Sequence, residues 1–210
     1  MLVVYPPTVA TATPDIAGLI TLAVAETNQA YLNSGIHIRL NLVDTMQTTY
    51  SEVGKSIAQL LNDLVTLADV TNRRDRVKAD IVIMLTTASD YCGSAYINPP
   101  PNFAMGVVNY RCATGYYSFA HEIGHIQGAE HNVEDAGTSV FPYGYGYRNT
   151  ATSPPWRTIM SYPCPTTNCP RLQYFSNPNV NYNGIAMGTP STNNNARVLN
   201  ETAARVAEFR

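Results

Sequence analysis

Three of the four histidines in this 210-residue chain crowd into one short stretch, His121-Glu122-Ile123-Gly124-His125-Ile126-Gln127-Gly128-Ala129-Glu130-His131. On a helix the i, i+4 spacing puts His121 and His125 on one face, a turn apart, where both imidazoles reach a single ion. Glu122 neighbours the first ligand, so its carboxylate can take a proton from a metal-bound water without binding the metal. Gly128 lets the chain leave the helix through a backbone shape that a side chain resists. That turn brings His131 back as a third ligand. Three histidines leave one position open for water, the catalytic arrangement for zinc; structural zinc sites usually close all four positions with protein ligands. His37, the remaining histidine, falls on the polar side of an alternating segment and is expected at the surface.

Composition narrows the classes around this motif. A formal charge of −2, a charged fraction of 13% and only two lysines, Lys55 and Lys78, give no basic footprint for nucleic acid or an anionic membrane. The longest apolar run, residues 16–25, is about half of the ~20 residues that span a bilayer, and it lacks the basic flank of a signal peptide. With 45% hydrophobic residues the chain has the material for one globular core. Cys92, Cys112, Cys164 and Cys169 suit two disulfides and an exported protein. Three connectivities are open, and the nearest-neighbour choice is Cys92–Cys112 with Cys164–Cys169. Met1 leads straight into mature-looking sequence, so any signal or pro-segment is expected to be absent from this chain.

The order of predicted elements is strand, helix, strand, helix, strand, which implies right-handed crossovers and a largely parallel sheet. Residues 2–5 read as an opening strand stopped by Pro6-Pro7, and Thr13-Pro14-Asp15 as the start of a helix that Gly35 ends. Residues 36–42 alternate apolar and polar side chains, the pattern of a half-buried strand. Ser51 is the expected cap of a second helix carrying Val53, Ile57, Leu60, Leu61 and Leu64 on one stripe. The charge run 73–76 reads as a solvated helix end or turn. Residues 80–85 form a continuous apolar run of strand length, as in a central strand covered on both faces. Residues 93–97, between a glycine and a proline cluster, mark an edge strand, and 105–110 another strand. A helix over about 116–127 carries the histidines. Regular patterns then thin out until an amphipathic closing helix at the C-terminus. Tyr143-Gly144-Tyr145-Gly146-Tyr147 reads as loop packing.

The zinc motif, followed downstream by Ile159-Met160-Ser161-Tyr162, resembles the metzincin metallopeptidases, whose methionine turn Met160 matches. Cys92-Gly93-Ser94-Ala95-Tyr96 is similar to the reprolysin-like group, and residues 112–120 resemble its bacterial peptidyl-Asp metallopeptidases. Asn132 departs from the aspartate that follows the third histidine in reprolysins. Tyr162 is a feature shared instead with astacins and serralysins.

The resemblance implies an α/β (α+β) fold. It has a twisted mixed five-stranded sheet, the zinc helix below it, and an irregular C-terminal part ending in a helix. It places residues 1–210 in a single catalytic domain, with an upper part to about residue 128 and a lower part from about 129 on. His121, His125 and His131 would hold one zinc ion, with no calcium expected. Glu122 would be the general base, and Tyr162 a second catalytic group that steadies the oxyanion. A peptide would add along Ser94, Ala95 and Tyr96, while Arg157, and Arg148 near it in sequence, would select an acidic side chain after the cut. The expectation is a secreted monomeric metalloendopeptidase acting on protein or peptide. The competing readings are a catalytically idle binding module and a protease for one narrow target.

Overall fold

The computed structural model describes all 210 residues. The chain runs β1 (Leu2–Tyr5), α1 (Pro7–Ala12), α2 (Ile16–Asn33), β2 (Asp44–Gln47), α3 (Ile57–Leu64), α4 (Ala68–Arg76), β3 (Val82–Thr86), β4 (Gly93–Ala95), a 3-10 turn (Pro101–Phe103), β5 (Met105–Asn109) and α5 (Ser118–Ile126). Short pieces follow: β6 (Glu130–Asn132), β7 (Tyr145–Gly146), β8 (Arg148–Asn149), β9 (Trp156–Arg157), β10 (Asn177–Tyr182) and β11 (Ile185–Met187), before the closing helix α6 (Asn195–Ala207).

The main sheet has five strands in the order β2-β1-β3-β5-β4, and it is the mixed sheet expected. Four strands are parallel, and β4 runs antiparallel to β5 at one edge. Alternation along the strands builds two cores. Val3, Ile83, Leu85 and Val108 face α2, α5 and α6, while Leu2, Val4, Val82, Met84, Met105 and Val107 face α3 and α4. Every residue of β3 is buried, as a strand covered on both faces must be.

Several local expectations need correction. Residues 36–42 are not a strand; β2 starts at Asp44. Their burial does alternate, with Ile36 and Leu40 inside, but the backbone is satisfied by side chains rather than by a ladder. Asn28 exchanges two hydrogen bonds with the Leu40 main chain, at 2.8 and 3.0 Å, and Asn200 accepts from the His37 N–H at 2.9 Å. Pro6-Pro7 does end β1 at Tyr5, and it also opens the short, unexpected helix α1, since proline fits a first helical turn. Asp15, not Thr13, caps α2 by accepting from the Gly18 N–H. Ser56, not Ser51, caps α3, through a reciprocal pair with Gln59, and Val53 is left exposed. Within the charge run, Arg74 is fully buried and donates to the Ala79 and Asp80 carbonyls at the end of α4. The polar end of a long side chain there caps a turn instead of meeting water.

Two disulfides close the framework, Cys92–Cys112 and Cys164–Cys169, with Cα separations of 5.5 and 5.8 Å. No helix is long and apolar enough to cross a membrane.

Candidate metal centre and substrate cleft

Helix α5 is buried along its whole length, packed against β4, β5 and α2. It ends in a left-handed turn at Gly128, φ +100°, where the Gly128 and Ala129 N–H groups donate back to the His125 and Gly124 carbonyls. A side chain at Gly128 would be strained at that φ, and its Cβ would stand only 2.8 Å from the Phe141 ring. The turn delivers His131 to the face already carrying His121 and His125.

The three Nε2 atoms converge at 3.0, 3.1 and 3.2 Å from one another. On the far side of the rings, Nδ1 of His121 lies 2.9 Å from the Ile159 carbonyl and Nδ1 of His125 lies 2.9 Å from the Ala129 carbonyl. A carbonyl only accepts, so both Nδ1 atoms carry the proton and both Nε2 atoms present lone pairs. Two lone pairs 3.1 Å apart repel unless a cation lies between them. Tetrahedral zinc with Zn–N bonds of ~2.0–2.1 Å separates its ligand nitrogens by roughly 3.3 Å, so the observed triangle fits that ion. Burial keeps the imidazoles neutral, the form that binds metal. It pulls His125 down to about 3 and, with Arg171 adding, His131 down to about 4, and it holds His121 well below the ordinary histidine range.

Glu122 is buried beside this triangle, and its Oε2 has no hydrogen-bond partner in the chain. Burial raises its carboxyl to about 8, against an opposing pull from Arg171. An orphaned carboxylate oxygen in a cleft is a group waiting for a ligand. Met160 is fully buried under the helix; a Cβ on Gly124 would stand 2.6 Å from its sulfur, so this glycine permits the close approach. Tyr162 sets its ring against that of His131, 4.1 Å between centroids and tilted by 35°, and remains 41% exposed. Burial, followed by the nearby Glu122, raises its phenol above the ordinary range. Its main-chain N–H donates to Asn132 at 3.0 Å, and Asn132 in turn donates to Glu134 and Asp135. The residue after the third histidine, Asn132, is therefore tied to the methionine-turn segment.

The three histidines, Glu122 and Tyr162 line a cleft of about 530 Å³. Ser94 and Ala95, on the exposed edge of β4, form part of its wall. Two expected members do not reach it. Tyr96 follows the strand but turns to the other face, where its ring meets Phe103 edge-on, 5.2 Å between centroids. Arg157 is buried in β9 and does not face the cleft. Its guanidinium is consumed by the Cys169 carbonyl at 3.1 Å, the Ser161 carbonyl at 2.5 Å and the Tyr116 hydroxyl at 3.1 Å. Arg148 is likewise engaged, by Asp135 and Glu134. The arginine that does line the cleft is Arg171, beside Tyr116 and Tyr91. Its local sequence carries no motif, so only the fold reveals it. The tyrosines of 143–147 lie outside the cleft; Tyr143 donates to Glu201 and Tyr145 pairs with Glu130 in the β6–β7 ladder.

This fold and donor set define a metallopeptidase-type zinc centre. The model of the metallo-peptidase family M12, reprolysin type, matches residues 3–176, and the chain belongs to that family. Among its relatives, a peptidyl-Asp metalloendopeptidase of Stenotrophomonas maltophilia is 46% identical over 93% of this chain and 48% of its own length. One of Xanthomonas campestris is 45% identical over the same shares. One of Pseudomonas fragi is 39% identical over 88% of this chain and the whole of its own. The chain thus spans about half the length of the first two relatives. A solved chain titled "Structure of a chaperone-substrate complex" superposes with a TM-score of 0.78 at 22% identity, over 100% of this chain and 35% of that one, and shares its fold.

Proposed function

We propose that this chain is a zinc-dependent endopeptidase that hydrolyses peptide bonds in protein or peptide substrates, with a preference for an acidic residue after the cut. The observation that carries the reading is the convergence of three neutral Nε2 atoms within 3.2 Å beside the unpartnered Glu122 carboxylate. His121, His125 and His131 would hold the ion. When bound, zinc supplies a Lewis acid for the scissile carbonyl, lowers the pKa of a coordinated water from ~15.7 towards ~7, and draws Glu122 back to its ionised form.

The chain's own groups do the rest. Glu122 accepts the proton of the attacking water at Oε2 and passes it to the leaving amine. Tyr162 donates its phenol proton in a hydrogen bond to the oxyanion that develops on the scissile carbonyl. The free edge of β4 offers main-chain N–H and C=O groups at Gly93 and Ala95, on either side of Ser94, whose own main chain faces β5, so an extended peptide adds as a further strand and is bound through its backbone. Met160 supports the ligands from below. The cleft divides an upper part, to about residue 128, from a lower part that completes one catalytic domain. Two disulfides suit action outside the cell, as a monomer with no nucleic-acid partner. The acidic preference draws on the relatives named peptidyl-Asp metalloendopeptidase.

The test is cleavage-site mapping: purified zinc-loaded protein with a diverse peptide mixture, read by mass spectrometry with and without a chelator. The reading predicts chelator-sensitive cuts enriched in Asp or Glu just after the scissile bond. Zinc bound without any cut would contradict it and favour a binding role.

A further inference from the structure

Arg171 is the strongly basic side chain that faces the cleft, and no carboxylate neutralises it. Its guanidinium lies over the Tyr116 ring, 4.4 Å from the centroid, and Nη1 donates to the Tyr116 carbonyl at 2.9 Å. Its Nε is buried and has no partner. It enters none of the six ion pairs of the chain, although Glu122 and the imidazoles of His121 and His131 lie within its field. A guanidinium presents five N–H donors in a rigid fork shaped for a carboxylate. Removing one from water without a counter-ion is costly, and a carboxylate arriving in the cleft would offset that cost.

The position is built, not incidental. Leu172 N–H donates to the Arg157 carbonyl at 2.8 Å and Arg157 N–H donates to the Pro170 carbonyl at 3.1 Å, which locks residue 171 alongside β9. The Cys164–Cys169 disulfide closes the loop just before it. Arg157 fills the space behind, its donors spent on the chain, and so adds a second positive charge without competing for an anion. Tyr116 is held between the two arginines. The division of labour is clear: Arg157 builds the wall, while Arg171 spends Nη1 on the Tyr116 carbonyl and leaves Nε without a partner.

We infer that Arg171 is the specificity-determining residue of the cleft, its free N–H groups binding the side-chain carboxylate of an acidic substrate residue immediately after the scissile bond. The inference rests on the endopeptidase reading above for the placement of that residue. The carboxylate itself follows from the unpaired fork.

Two measurements test it. The first is the ratio of kcat/KM on peptide pairs that differ only by Asp or Asn after the cut. Arg171→Gln should lower that ratio by about 10- to 100-fold, since a hydrogen bond to a charged group carries that much discrimination. Arg171→Lys should recover part of it, because a point charge replaces the fork. A ratio in Arg171→Gln within about twofold of the wild type, where the lost bond should cost at least tenfold, would overturn the inference. The second measurement needs no turnover: the melting temperature of zinc-loaded protein with the tripeptides Asp-Ala-Ala and Asn-Ala-Ala. Stronger stabilisation by the Asp peptide, lost in Arg171→Gln and reduced in Arg171→Lys, supports the site; equal stabilisation of the wild type by both peptides overturns it. If the wild type cuts nothing, the endopeptidase reading fails, and the tripeptide comparison still decides whether Arg171 binds a carboxylate. If Arg171→Gln does not fold, the wild type and Arg171→Lys suffice for both measurements.

Discussion

The chain before the end of α5 and the chain after it are held by different means. The first part is organised by backbone ladders: β1, β2, β3 and β5 pair in parallel, and helices cover both faces. The second part has strands as short as two residues, and side chains take over the work of the ladder. Asn195 donates to the Gly144 carbonyl at 2.6 Å, Asn193 to the Gly146 carbonyl at 2.7 Å, and Asn177 to the Ser34 carbonyl at 2.7 Å. Buried Arg157 serves three acceptors at once. A ladder repeats and tolerates change along its length, whereas a side chain bonded to one carbonyl serves one place only. The regular part supplies His121, His125 and Glu122 on a rigid helix. The irregular part supplies His131, Met160, Tyr162 and Arg171, and with them the shape of the lower wall.

Substitutions can break this contrast, starting where the two parts meet. Phe175 is fully buried and stacks on Tyr31 of α2, with 5.7 Å between ring centroids. Phe175→Ala should cost about 3–5 kcal/mol in a urea melt, the range for a large aromatic removed from a core. A loss no larger than that of a surface variant would mean that the two parts are not packed as one. The disulfides sharpen the comparison, since the loop-entropy account gives the longer Cys92–Cys112 loop about 3 kcal/mol and the Cys164–Cys169 loop about 2 kcal/mol. Paired Cys→Ser variants should therefore rank in that order in thermal melts, yet the second should disturb Asp-over-Asn selectivity more, because it anchors Arg171. The reverse pattern in selectivity would detach the disulfide from the lower wall.

Smaller effects follow. Arg157→Met leaves two buried carbonyls, of Cys169 and Ser161, without this donor and should destabilise by about 1–3 kcal/mol in chemical denaturation. A neutral result there would show that side-chain bonding does not hold the lower wall. Last comes Arg197→Ala on the exposed face of α6, which removes an i, i+4 pair with Glu201 and should cost no more than about 0.5 kcal/mol.

The same contrast explains what could be read from the sequence. β1, β3, β5 and α5 follow from apolar runs, periodicity and the histidine spacing, because local pattern and tertiary position agree there. Residues 36–42 alternate as a strand would, but alternate burial arises in any extended segment lying along a helix, and Asn28 replaces the ladder. The charge at Arg74 reads as solvated, although its stem is inside and its head caps the carbonyls after α4. In the site, the ligands and Glu122 are legible because helical spacing brings His121 and His125 together and Gly128 marks the turn that returns His131. Arg157 looks like the better candidate for an anion, being closer in sequence to Met160. Only the bridge between 157 and 171 decides which arginine turns inward and which faces the cleft.

The central claim is that three neutral histidines hold zinc while Glu122, which is not a ligand, moves the proton. It is tested most directly by Glu122→Ala, with bound metal and peptide turnover measured on the same sample. The account predicts one zinc per chain, as in the wild type, and a rate at least ~100-fold lower, since general-base catalysis contributes 10²–10⁴-fold. Normal turnover with zinc in place, or loss of the zinc itself, would contradict it.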